Sequence, residues 1–347
     1  MTGSASTTLR VRFRRYWQKH RTLFWTLHSV WALATGVVVI WLARERYGFV
    51  PWVLLFLGLT WLSTLYFGRS VIASTEPGGD ENVPGAAEEA TSYLTRTMYQ
   101  ESLFFLLPFY AYSTVVSAPN VVFIILLGGL AVVSCLDLVF DRWLRESRVG
   151  SLLFFALVAF AGMNLLIPIL VSIDPTTATR IAAGLAVASA VPLALNGERP
   201  SRKGTLALAL TAVVFLVLTI GLPRLVPPVP LRLQDAAFSS GIDRETLVLA
   251  DTVPDGVAAS RLGDGLYVRM EIFAPAIMPT EVNLRWERDG TLLRASRTIE
   301  ITAHELGFRI WDAWRPESGV IEPGRYRVTL ETRLRRVFGR TGITVAP

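Results

Sequence analysis

Apolar and polar residues follow two unlike patterns along this chain, and the change falls within "LTIGLPRLVPPVPLRLQD", residues 218–235. Before it, apolar residues come in blocks about twenty long, the length a helix needs to cross a hydrocarbon layer of roughly 30 Å. Seven such blocks, 22–43, 48–68, 97–117, 119–140, 151–173, 177–196 and 205–223, predict seven transmembrane helices. Helices are expected because no other open-ended element satisfies every backbone group inside lipid. The first block follows a basic segment, as the apolar part of a signal peptide would. It exceeds the usual length of about 7–15 residues and further blocks follow, so it is expected to remain as a helix.

After residue 230 the period shortens to two. "GLYVRMEIFAP" (265–275) alternates Leu266, Val268, Met270 and Ile272 against Tyr267, Arg269 and Glu271, the pattern of a strand with one buried face. Asp289–Gly290 between two such runs predicts a two-residue hairpin. "GFRIWDAW" (307–314) and "PGRYRVTLETRLRRVFGRTGITV" (323–345) supply further strands. Several short strands separated by turns within 231–347 predict an all-β sandwich of immunoglobulin-like type.

Between the two patterns, Pro223, Pro227, Pro228 and Pro230 cannot continue a helix and favour extended geometry. The expected organisation is therefore a basic N-terminus (1–21), a helical membrane domain (22–223), a stiff stalk (224–230) and a β-domain (231–347). The stalk is expected to hold the β-domain a short distance off the membrane.

Composition supports this division. The chain is 52% hydrophobic with a mean hydropathy of +0.43, more than a soluble core of this size can hide. The single cysteine, Cys135, rules out an internal disulfide framework and a thiolate metal cluster. The formal charge of +6 raises nucleic acid as a partner. However, the basic residues fall largely between apolar blocks, where membrane topology explains them better, so no nucleic acid is expected. Arg10, Arg12, Arg14, Arg15, Lys19 and Arg21 precede the first block. Arg142, Arg145 and Arg148 follow the fourth, and Arg199, Arg202 and Lys203 follow the sixth. The alternate connections carry Arg44 and Arg46, none, and Arg180. By the positive-inside rule the N-terminus is cytoplasmic, and seven crossings put the C-terminal domain outside the cytoplasmic membrane.

Charge inside lipid is costly and often functional. His28, Glu101 and Asp137 form one candidate intramembrane site, for protons or ions. The simpler reading has them near the cytoplasmic interface, snorkelling or pairing with Arg96, Arg142 or Arg145. Asn164, deeper in the fifth block, is expected to bond across helices. Small residues in the blocks, Gly128, Gly129, Gly184 and Ala188, predict close helix contacts. In the β-domain, Trp286 and Tyr326 are expected in the core, because aromatics dominate sandwich packing. Trp311 and Trp314, with Arg333 and Arg335, are the candidate binding surface. The arginine groups, which include Arg336, Arg340, Arg285 and Arg288, suit anionic head groups or an acidic polysaccharide. A solvated strand edge explains them equally well.

No histidine cluster, Gly-x-Ser-x-Gly or phosphate-binding glycine loop is present. The expectation is a non-enzymatic protein without a cofactor whose outer domain binds an envelope protein or glycan. The alternative is a small transporter or ion-coupled channel built on His28, Glu101 and Asp137. The pieces "GLYVRMEIFAP", "VNLRWERDG", "GFRIWDAW", "PGRYRVTLET" and "GRTGITV" together resemble domain of unknown function 2914, over about 231–345. The sequence departs from that pattern at Arg285, where histidine is common, and at Tyr326, where tryptophan is common. The N-terminal half resembles uncharacterised bacterial polytopic proteins that end in such a domain. The resemblance implies fold and architecture, and no chemistry.

Overall fold

The computed structural model describes residues 86–135, 147–195, 202–243, 245–274, 279–294, 298–302 and 308–347, with isolated positions at 30, 31, 34 and 58. The predicted spans 22–43 and 48–68 otherwise lie outside the described residues. Those described residues form five α-helices followed by nine strands: α1 Ala86–Tyr112, α2 Val121–Cys135, α3 Arg148–Val171, α4 Pro175–Leu195 and α5 Arg202–Leu216.

The helices follow the apolar blocks, with informative differences at their ends. α1 begins well before its block, because Ala86, Ala87, Glu88 and Glu89 are strong helix formers and continue the turn beyond the apolar run. It stops at Tyr112, where Thr114 bonds back to the Tyr110 carbonyl and a polar turn leads to α2. Ser147 caps α3 by accepting the Gly150 amide at 3.1 Å, and Ser172 ends it in the left-handed region (φ 54°). Pro175 opens α4, where its missing N–H costs nothing, and Asp174 accepts the Thr176 amide at 2.8 Å. α5 closes in a π turn, Val217–Gly221. Three helical segments, Val149–Val171, Pro175–Leu195 and Arg202–Gly221, are long and apolar enough to cross a membrane.

A ladder of rings ties α1, α2, α3 and α5 together. Tyr110 meets Phe123 at 5.2 Å, Phe123 meets Phe160 at 6.0 Å, and Phe160 meets Phe215 at 5.1 Å. α4 packs through alanines instead: Ala178, Ala182, Ala186, Ala190 and Ala194 are buried on one face. The expectation that Gly184 and Ala188 make this contact is therefore corrected. Both point away from the alanine face and are exposed, and a Cβ at Gly184 would meet nothing within 4 Å. Beyond its first turn, the outward face of α5 and of the π turn that follows it is apolar, with Leu206, Leu210, Val213, Val217 and Ile220 all exposed.

The C-terminal half contains two sheets. The smaller has the order β1 (Arg232–Ser239), β3 (Leu266–Phe273), β7 (Phe308–Trp314). The larger has β2 (Val257–Ala258), β9 (Val337–Ala346), β8 (Gly324–Thr332), β4 (Pro279–Arg288) and β5 (Thr291–Arg294), with β6 (Thr298–Thr302) also paired to β4. Both contribute to one core. Val268, Met270, Ile272 and Ile310 come from the smaller sheet, and Leu284, Trp286, Val328, Leu330 and Ile343 from the larger.

The alternation in β3 is as the sequence predicts, except that Tyr267 is also buried, beneath the Arg315 guanidinium. Trp286 is fully buried, stacks edge-on against Phe238 at 6.4 Å, and donates its indole N–H to Asp312 at 3.0 Å across the sheets. Tyr326 is fully buried and its hydroxyl donates to the Glu322 carbonyl at 2.8 Å. The Asp289–Gly290 hairpin has positive φ at both residues, 49° and 84°, as a type I′ turn requires.

The expected stalk is the largest correction. Val226 and Val229 are buried in the core of the helical half, and Leu231 in that of the β-domain. Residues 226–231 are buried throughout. The prolines do end the helix, but the apolar residues between them pull the segment into a packed joint rather than a spacer.

Candidate functional site

The joint brings together groups far apart in sequence. Prolines in the linker leave carbonyls that no helix or strand satisfies, and a buried acceptor without a partner is costly. One side chain answers several of them. Arg336 follows the β8–β9 turn and is 1% exposed. Its Nε donates to the Val226 carbonyl at 2.8 Å and its Nη2 to the Pro227 carbonyl at 2.7 Å. Its Nη1 donates to the Pro175 carbonyl at 3.1 Å and to Thr179 Oγ1 at 2.8 Å.

Every acceptor is neutral. Burial therefore pulls the guanidinium down to about 10, partly opposed by Tyr110 and by the negative charge of Asp174. At neutral pH it is still protonated.

The network continues into the helices. The Thr179 hydroxyl has two acceptors for its one proton, Asn164 Oδ1 and the Pro175 carbonyl, each at 2.6 Å. Asn164 donates to the Tyr110 hydroxyl at 2.9 Å, and Tyr110 donates to the Ala161 carbonyl at 3.0 Å. A continuous buried chain thus runs from the β8–β9 turn through α4 and α3 to α1.

Three other contacts flank it. Asn120 donates to the Val337 carbonyl at 2.6 Å, and Arg340 donates to the Ser117 carbonyl at 3.0 Å. Arg232 lies over the rings of Tyr112 and Phe273, 5.2 and 4.8 Å from their centroids. The arrangement fixes the orientation of the β-domain on the helix ends.

The residues singled out from sequence distribute as follows. His28 and Asp137 lie outside the described residues. Glu101 is half-buried in α1. It is nine residues from Tyr110, or roughly 14 Å along the helix, so it does not share a site with Asn164. Asn164 makes the expected bonds across helices, within the joint. Arg333 and Arg335 are exposed beside the buried Arg336. Trp311 is on the outward face of the smaller sheet, opposite Arg269 in register, whereas Trp314 packs against the core. Trp311 and Trp314, expected with Arg333 and Arg335 on one binding surface, do not share a face: alternation along β7 sends the two to opposite sides.

Arg336 was not separable from its neighbours by sequence. "RLRR" at a strand turn offers three arginines, and only the meeting of two domains decides which is buried. Among the described residues, no group of three or more His, Cys, Asp or Glu is placed to hold a metal ion.

Fold and joint together define a class: a helical bundle carrying a two-sheet domain docked on one end. The chain belongs to a family of unknown function, DUF5924, whose profile matches residues 6–268. The matched region covers the helices and the linker and ends within β3, before the arginine turn. Comparison with curated proteins finds no match.

Proposed function

We propose that this is a non-enzymatic, multi-pass protein of the bacterial cytoplasmic membrane. Its N-terminus is cytoplasmic, and its β-domain is held in fixed orientation on the extracytoplasmic end of the helices. There the domain presents its outward surface to another envelope protein or glycan. The observation that carries this reading is the buried joint around Arg336. A domain that only needed tethering would not require its linker carbonyls, the start of α4 and a strand turn to share one desolvated cation.

Three further features support it. Beyond the exposed Arg202, Lys203 and Thr205 of its first turn, the outward stripe on α5 is apolar, which suits lipid and would be a liability in water. The connections at the β-domain end, 113–120 and 172–174, contain no Lys or Arg. In sequence, the segments between α2 and α3 and between α4 and α5 carry Arg142, Arg145 and Arg199, and the first turns of α3 and α5 add Arg148, Arg202 and Lys203. Against these stand Arg180 in α4 and Arg224 in the linker at the β-domain end, a bias in the sense of a cytoplasmic and an extracytoplasmic side. Two facing sheets, antiparallel except for the short parallel β2–β9 pair, a buried Trp286 between them and the Tyr326 bond to an upstream carbonyl support an immunoglobulin-like sandwich. They also fit the resemblance to domain of unknown function 2914.

The partner surface centres on Trp311. It lies among Arg269, which pairs with Asp235 at 3.6 Å, and Arg309, which pairs with Glu271 at 3.8 Å. An aromatic ring framed by surface ion pairs suits a polar partner better than a lipid tail.

One experiment addresses both halves of the reading. A periplasm-dependent reporter fused after Pro347 should be active, and a photo-crosslinking residue at position 311 should give one reproducible adduct in growing cells. A reporter active only in the cytosol overturns the topology, and the absence of any adduct specific to position 311 overturns the partner role.

A further inference from the structure

We infer that Arg224, Arg333 and Arg335 form a binding surface for the phosphodiester head groups of anionic lipids in the adjoining leaflet. The inference rests on the membrane reading above. Three observations lead to it.

The first is the level of these residues. Arg336 bonds to Pro175, the first residue of α4, and to Val226 and Pro227 just past the last helix. The β8–β9 turn is therefore fixed at the helix ends. The turn is itself rigid, with the Thr332 amide donating to the Arg336 carbonyl at 3.0 Å and the Arg335 amide to the Thr332 carbonyl at 2.7 Å. Arg333 and Arg335 are exposed on this turn.

The second is the apolar boundary at the same level. Val116 is 84% exposed, Val171 61%, Ile220 64% and Leu222 50%. Val116 adjoins Ser117, which accepts from Arg340. Leu222 is two residues before the exposed Arg224. Exposed apolar side chains thus pass into guanidinium groups within a few residues, the order found where hydrocarbon gives way to head groups.

The third is surplus charge. Among the described residues, none of the three arginines forms a salt bridge. The carboxylate that acts electrostatically on Arg224 and Arg335 is Glu331, which is buried and shared with Arg285. Arg285 already pairs with Glu287 at 2.7 Å. A phosphodiester supplies the missing negative charge and offers two oxygens to the paired N–H groups of a guanidinium. A soluble polyanion would supply the charge but would make no use of the exposed apolar ring beneath it.

The test uses the full-length chain in nanodiscs of phosphatidylcholine alone or mixed with phosphatidylglycerol, with native mass spectrometry of the lipids retained on extraction. The wild type should retain phosphatidylglycerol over phosphatidylcholine by about tenfold, and added salt should weaken the preference. The variant carrying Arg224→Gln, Arg333→Gln and Arg335→Gln should lose it, while Arg309→Gln, on the smaller sheet, should keep it. If the triple variant does not fold, Arg333→Gln alone should lower the preference about threefold.

Equal retention of both lipids by the wild type overturns the inference. So does an unchanged preference in the variants, or equal binding of a soluble sulfated polysaccharide in discs lacking phosphatidylglycerol. Release of the protein from membranes by alkaline carbonate would instead overturn the membrane reading. Retention after carbonate without lipid preference removes this inference alone.

Discussion

Arg336 and Arg294 solve the same problem, a guanidinium drawn away from water, in opposite ways. Arg294 bonds both oxygens of Asp312, at 2.6 and 2.5 Å, and Asp312 also takes the Trp286 N–H. Its side chain stays 40% exposed. Both partners belong to the β-domain, so the pair forms whenever that domain folds. Arg336 has no carboxylate and almost no exposure, and its acceptors come from the linker and α4. Desolvating a cation against neutral dipoles costs more than desolvating it against a carboxylate. The arrangement therefore gives placement rather than net stability: the arginine is satisfied only when both halves of the molecule are correctly seated. The Arg294 clamp closes one domain, and the Arg336 contact registers two.

The largest effect should come from Arg336→Met. It preserves bulk but leaves the carbonyls of Val226, Pro227 and Pro175 short of donors. The cost to the joint should be about 2–4 kcal/mol. Limited proteolysis of the full-length protein should cut within 222–231 at least tenfold faster, while tryptophan emission from the β-domain stays unchanged. A cleavage rate equal to wild type would mean that the linker is held by its apolar contacts alone. Arg336→Lys should fall between, because an ammonium cannot reproduce the fork.

Asp312→Ala should show the converse. It strands the Trp286 N–H in the core and costs the β-domain about 1–3 kcal/mol. Tryptophan emission should shift and the melting midpoint fall, with linker cleavage unaltered at temperatures below the transition. Equal acceleration of cleavage in both variants would erase the distinction between clamp and joint. Asn164→Leu probes the inner end of the network. It removes the bonds of Asn164 to Tyr110 and to Thr179, each expected to cost about 0.6–1.7 kcal/mol, the range found for such bonds in membrane proteins. It should accelerate linker cleavage less than Arg336→Met does.

How much of this was legible in the sequence depends on whether a feature is local. The alternation of Leu266 to Ile272, the Asp289–Gly290 hairpin and the five described helical blocks are set by residues within a few positions and follow from the sequence pattern. Of the seven expected crossings, three correspond to described helices long and apolar enough to span a membrane. Trp286 and Tyr326 were placed in the core because large rings have nowhere better to go in a small sandwich. Three errors have one origin. The stalk, the contact face of α4 and the identity of the buried arginine each depend on what packs from elsewhere in the chain. Val226 and Val229 look like part of a proline spacer until the helix core covers them. Ala186 and Ala188 are equally small, and only the positions of the neighbouring helices decide which is buried. Arg336 differs from Arg335 by one residue of register at a turn where Glu331 pairs with Val337 after a bulge, and a bulge is not written in the residue types.

Glu331 provides the finest test, since it inverts the Arg336 arrangement: a buried acid near arginines rather than a buried cation among dipoles. Burial raises its carboxyl above the usual value of 4.5, and Arg285, Arg335 and Arg224 offset this only in part. With the folded value above the unfolded one, the folded state holds more protons between the two. Stability is then fully present below about 4.5 and declines as pH rises through the raised value. Glu331→Gln removes that decline. The variant should melt roughly 1–3 °C above wild type at pH 7, and the gap should close as the pH falls towards 4.5. Scanning calorimetry across that window decides which effect wins. If the variant melts below wild type at pH 7, attraction to the three arginines outweighs desolvation, and the carboxylate belongs with Asp312 as a stabilising partner.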